Sequence, residues 1–405
     1  MYDAIVIGGR CAGAVTAMLL ARRGHRVLLL ERGVIPSDLN QGHFIHKQGP
    51  RLLAGWGLLE EVVATNCPPV VNHLTDLGDF PLIGRDIRVG NVAWGYGPRR
   101  RQLDQVLAEA AIKAGAEFRP NFLVESCIWD GDQVTGIRGR DRHQGTSSTE
   151  KARITIGADG KDSVLARTVS APSYDESPAL TCWYFSYWSG VITEGFELYR
   201  RNNRAIFSFS TNDNLFAIFV AWPIHEFGSV RADIEGEFMQ VVDLVPELAE
   251  RVRSGRRAER FYGTADLPNF LRRPFGPGWA LVGDAGSHKD PYGALGISDA
   301  FRDADLLAAA AHQGLAGQSP LNEALMTYER RRNEATLADY YDNISRAKFS
   351  PLSEEFLQLR LALRGNQDDT NRFIMAREGM LPHEEFFNAS NLQQIHAKSN
   401  GATAF

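Results

Sequence analysis

The chain has 405 residues and a formal charge of −5, a balance that excludes a general nucleic-acid binder. At 44% hydrophobic and 23% charged it is neither disordered nor membrane-like, and its length predicts two domains or one elaborated domain. No apolar run is long enough to span a bilayer, the start lacks a basic leader, and Cys11, Cys67, Cys127 and Cys182 show neither metal-ligand nor CxxC spacing. We therefore expect a cytoplasmic protein with no membrane span and no metal.

In chain order, Ala4 to Ile7 reads as a short buried strand, Ala12 to Arg23 as a helix closed by Gly24, and Arg26 to Glu31 as a second strand. Together they make a βαβ unit. Residues 50–63 read as one helix, and Leu103 to Ala114 as an amphipathic helix ended by Gly115. From Leu123 to Gly157, three strand-like runs are separated by polar turns, predicting a β-meander. Residues 180–223 mix aromatic and polar positions (WYFSYW, AIFSFS, LFAIFVAW), as an antiparallel sheet would. Residues 298–312, 320–345 and 353–378 read as helices. No flexible linker or repeat divides the chain, so interleaved domains are expected.

Three motifs carry chemistry. Gly8-Gly9-Arg10-Cys11-Ala12-Gly13 follows a strand and opens a helix; Gly8 permits the turn and Gly13 lets the helix pack close, so that the helix N-terminus faces a pyrophosphate. Glu31 ends the second strand, about 20 residues on, where a carboxylate binds ribose hydroxyls. Arg10 replaces the usual middle glycine; it crowds the phosphates unless it points away and adds a phosphate contact. The second motif is Gly157-Ala158-Asp159-Gly160-Lys161-Asp162-Ser163 at the end of the meander. The third is Gly283-Asp284 after a strand-like run, followed by a Pro/Gly-rich loop that enters a helix near Ile297 and aims N–H groups at negative charge. The basic clusters Arg99-Arg100-Arg101 and Arg256-Arg257 read as solvated faces or single phosphate contacts.

GGRCAG with Glu31, then Arg100-x-x-Leu103, GADGKDS and GDAGSHKDPYGALG, resembles the single-component (group A) FAD-dependent aromatic monooxygenase family, the class containing 4-hydroxybenzoate hydroxylase. The motifs keep the family's order over roughly residues 1–320. The wider superfamily includes flavin-dependent halogenases and geranylgeranyl-type reductases. The resemblance implies an α/β architecture: a Rossmann-like FAD-binding domain with a β-meander (1–70, 100–170, 263–320), interleaved with an antiparallel-sheet substrate domain (71–99, 171–262) and a helical C-terminal region (321–405). It further implies that Gly8, Gly13 and Glu31 hold the ADP half of FAD, with Arg10, Ala12, Arg32 and Val124 as further contacts. Arg100 belongs to the pyrophosphate–ribityl region, and Asp159-Gly160 to FAD and the nicotinamide nucleotide. Gly283 and Asp284 belong to the ribityl chain, and Pro291, Gly293, Gly296 and Ile297 to the isoalloxazine.

The implied reaction takes NADH or NADPH as a transient co-substrate and O2. It hydroxylates a small phenolic or heteroaromatic compound through a flavin C4a-hydroperoxide. The alternatives are a C=C reductase or dehydrogenase, a halogenase, and a flavin-binding sensor without turnover. Against a halogenase, residues 219–224 read FVAWPI rather than WxWxIP. Candidate catalytic residues are His288 and Tyr292, with His46 and Lys47 in a segment expected near the flavin. Tyr184, Trp222 and Pro291 are candidate substrate contacts, although the aromatic runs are first of all strand residues packing a sheet. The sequence departs from the family at Gly286-Ser287-His288, which shifts the histidine by one, at Ala294 where many members have glycine, and at Ser298 where many have Asn. Residues after 320, with charges that read as a solvated face, are expected to close over the core or support a homodimer.

Overall fold

Ala4, Ile5 and Val6 are fully buried, and so are Leu28 and Leu29. Strands apolar on both faces belong inside a parallel sheet covered on both sides. In the computed structural model, which describes residues 1–37, 41–193 and 195–402, that sheet is eight-stranded. Tyr2–Ile7 lies between Val27–Leu30 and Ser147–Gly157, parallel to both. Ser147–Gly157 joins the meander to the core: its first half pairs antiparallel with Gln133–Asp141, and its second half belongs to the parallel core. Trp279–Leu281 runs parallel beside it, so the strand that delivers Asp284 is adjacent to the one that delivers Asp159.

Strand alternation divides this sheet's contacts. Ala4, Val6, Val27 and Leu29 face the helices Cys11–Arg22, Arg100–Lys113 and Gly296–Leu315. Ile5, Ile7, Leu28 and Leu30 face the meander, together with Val124, Val134 and Ile137. This is the mixed α/β architecture expected from the sequence.

A second eight-stranded sheet contains Thr181–Ser189, Leu215–Pro223, Arg204–Ser210 and Phe196–Arg201, antiparallel in that order. His73–Asp76 and Pro81–Gly84 extend it, the former parallel to Phe196–Arg201. One face carries Trp183, Phe185, Tyr187, Phe207, Phe209 and Phe219, in one cluster with Tyr292. The other carries Cys182, Tyr184, Ile218, Val220 and Trp222, covered by the helices Ile234–Asp243 and Pro246–Ser254.

Two helix predictions need correction. Residues 50–63 form two short helices, Gly49–Gly55 and Leu59–Ala64, because Gly57 adopts φ +75° between them. Residues 353–378 split into Glu354–Leu363 and Gln367–Arg377 at Gly365, where φ is +81°. A left-handed residue turns the chain out of its helix, which is the usual way a glycine closes one. The long helices Gly296–Leu315 and Leu321–Ala347 are continuous. Among the described residues, no helix is long and apolar enough to cross a membrane, and no cluster of side chains could hold a metal ion.

Candidate cofactor and substrate site

The N-terminal turn is built around two glycines whose hydrogen atoms the packing requires. Gly8 has φ +107°, and a Cβ there would lie 2.3 Å from the Ala158 carbonyl oxygen. A Cβ on Gly13 would lie 1.8 Å from the Gly8 oxygen. The helix from Cys11 has no side-chain cap, so its first N–H groups are available to an anion. Glu31 is 4% exposed, and its carboxylate accepts from the Gly9 and Gly33 N–H groups, each at 2.9 Å. It thereby fixes the glycine turn to the end of the second strand.

Arg10 is held by side chains from other segments. Its Nη1 donates to Asp104 Oδ2 at 2.7 Å and its Nη2 to Ser37 Oγ at 2.9 Å. Arg100 Nη2 donates to the other Asp104 oxygen at 3.0 Å, and its Nη1 to Gln41 Oε1 at 2.6 Å. One fully buried carboxylate thus gathers two guanidinium groups beside the turn. Burial opposes the charge on Arg100, but Cys11, Asp104 and Asp284 outweigh it and raise the pKa further. Asp104 escapes the sequence-based expectation, although an aspartate four residues after Arg100 on one helix face is a usable signal.

The second and third motifs arrive at the same place. Gly283, at φ +62°, approaches the N-terminal helix so closely that a Cβ would lie 2.8 Å from the Ala12 Cβ. Asp159 Oδ2 accepts from the Val164 N–H at 2.7 Å, while its buried Oδ1 has no partner; burial raises its pKa. Gly160 turns at φ +83°. In the loop that follows Asp284, Asp290 is buried, which raises its pKa; it accepts from the Thr181 hydroxyl at 2.5 Å and the Tyr292 N–H at 3.0 Å. Ala294 adopts φ +52°, the conformation for which glycine is the ordinary residue. Gly296 is exposed with open space where a Cβ would stand, and the helix it begins has no side-chain cap. Of the remaining expected contacts, Arg32 is exposed, with its carbonyl accepting from Arg142, and Val124 is buried in the meander core.

The candidate substrate and catalytic residues separate. Tyr292 is buried and faces Trp183, Phe207 and Phe349 edge-on, at centroid distances of 6.2, 5.7 and 5.8 Å; burial raises its pKa and keeps the phenol protonated at neutral pH. His288 lies elsewhere. It belongs to a three-stranded sheet with Ser173–Ser177 and Asn269–Arg272, where its Nδ1 meets the Pro268 carbonyl and its ring stacks on Phe270. These contacts make it a packing residue rather than a member of the aromatic cluster.

Tyr184 and Trp222 require a correction. Both lie on the sheet face that packs against helices, and Trp222 is fully buried beside Phe238. Strand alternation sends their odd-numbered neighbours, Trp183, Phe185 and Phe219, toward Tyr292 instead. Sequence reasoning misses His43, whose Nε2 meets the Tyr187 hydroxyl at 3.0 Å and whose Nδ1 meets the Gly97 carbonyl at 3.1 Å. Burial lowers its pKa to about 3, so the ring is neutral. Lys47 donates to both Asp339 oxygens, at 2.8 and 2.7 Å.

A tight glycine turn, a buried carboxylate at a strand end, paired arginines and two helices without side-chain caps come together from distant segments, an arrangement suited to a dinucleotide. The chain belongs to the FAD binding domain family, which matches residues 1–258. It is similar to aklavinone 12-hydroxylase DnrF of Streptomyces peucetius, 32% identical over 209 residues, which are 47% of this chain and 41% of that protein. It is also similar to digeranylgeranylglycerophospholipid reductase of Methanosarcina acetivorans, 26% identical over 351 residues, 83% of this chain and 81% of that one. Among solved structures, the myxobacterial chondrochloren halogenase CndH has the same fold, with a TM-score of 0.79 at 19% identity over 98% of this chain and 96% of that one. The matches to the probable electron transfer flavoprotein-quinone oxidoreductase YdiS of Escherichia coli and to DnrF span only 38% and 41% of those proteins. The residues present fit FAD: the Gly8 and Gly13 cradle would be filled by any Cβ, and the orphaned Asp159 oxygen leaves an acceptor for a ligand donor.

Proposed function

We propose that this protein is an FAD-dependent monooxygenase of the cytoplasm that uses NADH or NADPH and O2 to hydroxylate a small phenolic or heteroaromatic compound. The observation that carries this reading is the aromatic face of the second sheet. Trp183, Phe185, Tyr187, Phe207, Phe209 and Phe219 cluster with Tyr292, which belongs to the loop expected to hold the flavin ring. Such a face stacks a planar apolar substrate and keeps water away from the reacting atoms.

When bound, FAD supplies hydride acceptance and the reaction with oxygen. The residues around it bind and orient. Gly8, Gly13 and Glu31 take the ADP half; Arg10 and Arg100 the pyrophosphate; Asp284 the ribityl chain; and Pro291, Gly293, Gly296 and Ile297 the ring. The uncapped N-terminus of Gly296–Leu315 stabilises negative charge on the ring edge. Tyr292, protonated, is a hydrogen-bond donor on the substrate side rather than a base. We assign residues 1–70, 100–170 and 263–320 to the FAD-binding domain and 71–99 with 171–262 to the substrate domain.

The test is NAD(P)H oxidation by flavin-loaded protein across a panel of phenols and N-heteroaromatics. The reading expects oxidation stimulated by one compound class, with oxygen uptake and an oxygenated product. A second reading, a C=C reductase, draws on the similarity to digeranylgeranylglycerophospholipid reductase along most of both chains. It expects a reduced product under anaerobic conditions, and halide incorporation would instead identify a halogenase. Colourless protein that takes up no flavin would defeat all three.

A further inference from the structure

The registers of the second sheet set a charge at the edge of its aromatic face. Trp183, Ala221, Ala205 and Arg200 lie opposite one another in turn across the sheet, and Phe185, Phe219, Phe207 and Leu198 form the next row. Arg200 is therefore on the same face as Phe207, its diagonal neighbour at about 7–8 Å, within reach of a long side chain. Its Nη2 donates to the Phe349 and Ser350 carbonyls, each at 2.6 Å. Among the described residues, no acceptor meets the N–H groups of Nη1 and Nε, and no carboxylate lies within 4.0 Å of the guanidinium.

Positive charge is in surplus around this corner. Burial raises the Tyr292 pKa, and Arg200 and then Arg346 oppose the rise, so both cations lie within electrostatic reach of the phenol. Arg346 is matched by Asp342 at 2.6 Å. Arg377, beside the Phe356 and Phe373 rings, is pushed down to about 10 by burial and then by Arg346. The diagonally opposite corner is the reverse. Arg99 stands over the Tyr187 ring at 4.5 Å, but Glu259 meets it at 2.5 Å, and His43 beside Tyr187 is neutral. Between the corners, Phe207 and Phe219 keep 6% and 8% exposure, whereas Ile218 and Val220 on the helix-covered face keep none.

We propose that the phenolic or heteroaromatic substrate carries a carboxylate, which binds Arg200 beside the Tyr292 hydroxyl while the ring lies against Phe207 and Phe219. A guanidinium and a phenol O–H both donate, so this corner takes a group that only accepts, and a carboxylate supplies the charge that Arg200 lacks. Arg200 is then the residue that selects acids over neutral rings. The turn at residues 349–350, between the helices Leu321–Ala347 and Glu354–Leu363, holds its guanidinium and gives the C-terminal region a part in substrate choice. This inference deepens the reading of the aromatic face as the substrate side and rests on it.

The experiment is calorimetric titration of the full chain loaded with FAD, with benzoate and its neutral isostere benzamide as probes. Benzoate should bind about tenfold to a hundredfold more tightly, the range of a charge-assisted hydrogen bond, and the advantage should shrink as salt rises. Arg200→Gln should abolish the preference and leave benzamide affinity unchanged, and Arg200→Lys should keep part of it. Equal affinities, no benzoate binding, or a preference that survives Arg200→Gln would overturn the proposal; in the last case Arg200 only clamps the turn. If Arg200→Gln fails to fold, the wild-type ratio and its salt dependence still decide. Neutral phenols that drive NAD(P)H oxidation in protein indifferent to benzoate would sink this proposal and leave the hydroxylase standing. A benzoate preference in protein that never oxidises NAD(P)H would do the opposite.

Discussion

Replacing Asp104 with Asn tests the paired-arginine cluster. Asp104 is fully buried and bonds Arg10 at 2.7 Å and Arg100 at 3.0 Å, so the substitution keeps the shape but leaves two guanidinium groups facing a neutral amide. Removing one partner of a buried ion pair costs about 3–5 kcal/mol, because the remaining charge is stranded rather than merely unpaired. Here the lower end applies: the Arg10 side chain keeps 20% exposure, and Gln41 still accepts from Arg100. We expect the apoprotein to lose about 3 kcal/mol, read by urea unfolding followed through tryptophan fluorescence. The flavin-loaded protein should lose less, since a bound pyrophosphate supplies the missing negative charge to the same two arginines. A loss under about 1 kcal/mol in the apoprotein would show that the cluster is not electrostatically closed. Equal losses with and without FAD would remove Arg10 and Arg100 from the phosphate site.

Three further outcomes follow from the geometry. Gly13→Ala places a methyl 1.8 Å from the Gly8 oxygen; forced overpacking of about 1–3 kcal/mol should weaken FAD binding by about tenfold to hundredfold in a fluorescence-quenching titration. Unchanged affinity would mean that the turn is not the cofactor cradle. Ala294→Gly relieves a left-handed alanine at a cost in chain entropy, for a net gain of about 0.5–1 kcal/mol in thermal unfolding, and a loss of stability would contradict the assigned φ of +52°. Because the folded protein holds His43 neutral down to about pH 3 while the unfolded chain protonates it near 6.5, His43 withdraws stability as pH falls through that window. His43→Gln should flatten the acid limb of the stability–pH profile by about 1.4 kcal/mol per unit, leaving His73 to act between about pH 6.5 and 4; an unaltered slope would mean that His43 is accessible to protons.

Much of the cofactor side is legible in the sequence. Glycines that must lack a Cβ, a carboxylate at a strand end and a loop opening a helix are local signatures, because each is dictated by backbone geometry within a few residues. Gly8, Gly13, Glu31 and the Gly283–Ile297 loop carry such signatures, and the structure brings their segments together, with Gly283 against Ala12. The substrate side is not legible in the same way. WYFSYW announces a strand without saying which alternate residues share the face with Tyr292, and a one-residue choice of phase puts Tyr184 and Trp222 on the opposite face, against helices.

The sequence by itself determined the class of fold and the cofactor it is built to hold, since hydrophobic periodicity and glycine placement are written along the chain. Only the tertiary structure decided which charges meet. Arg10 finds Asp104 from 94 residues away, and His46 finds Glu378 from 332 residues away. No spacing rule predicts such pairs, because they arise from the packing of separate elements; the His46–Glu378 pair exists only once the chain after Arg377 packs beside the loop that Gly293 occupies.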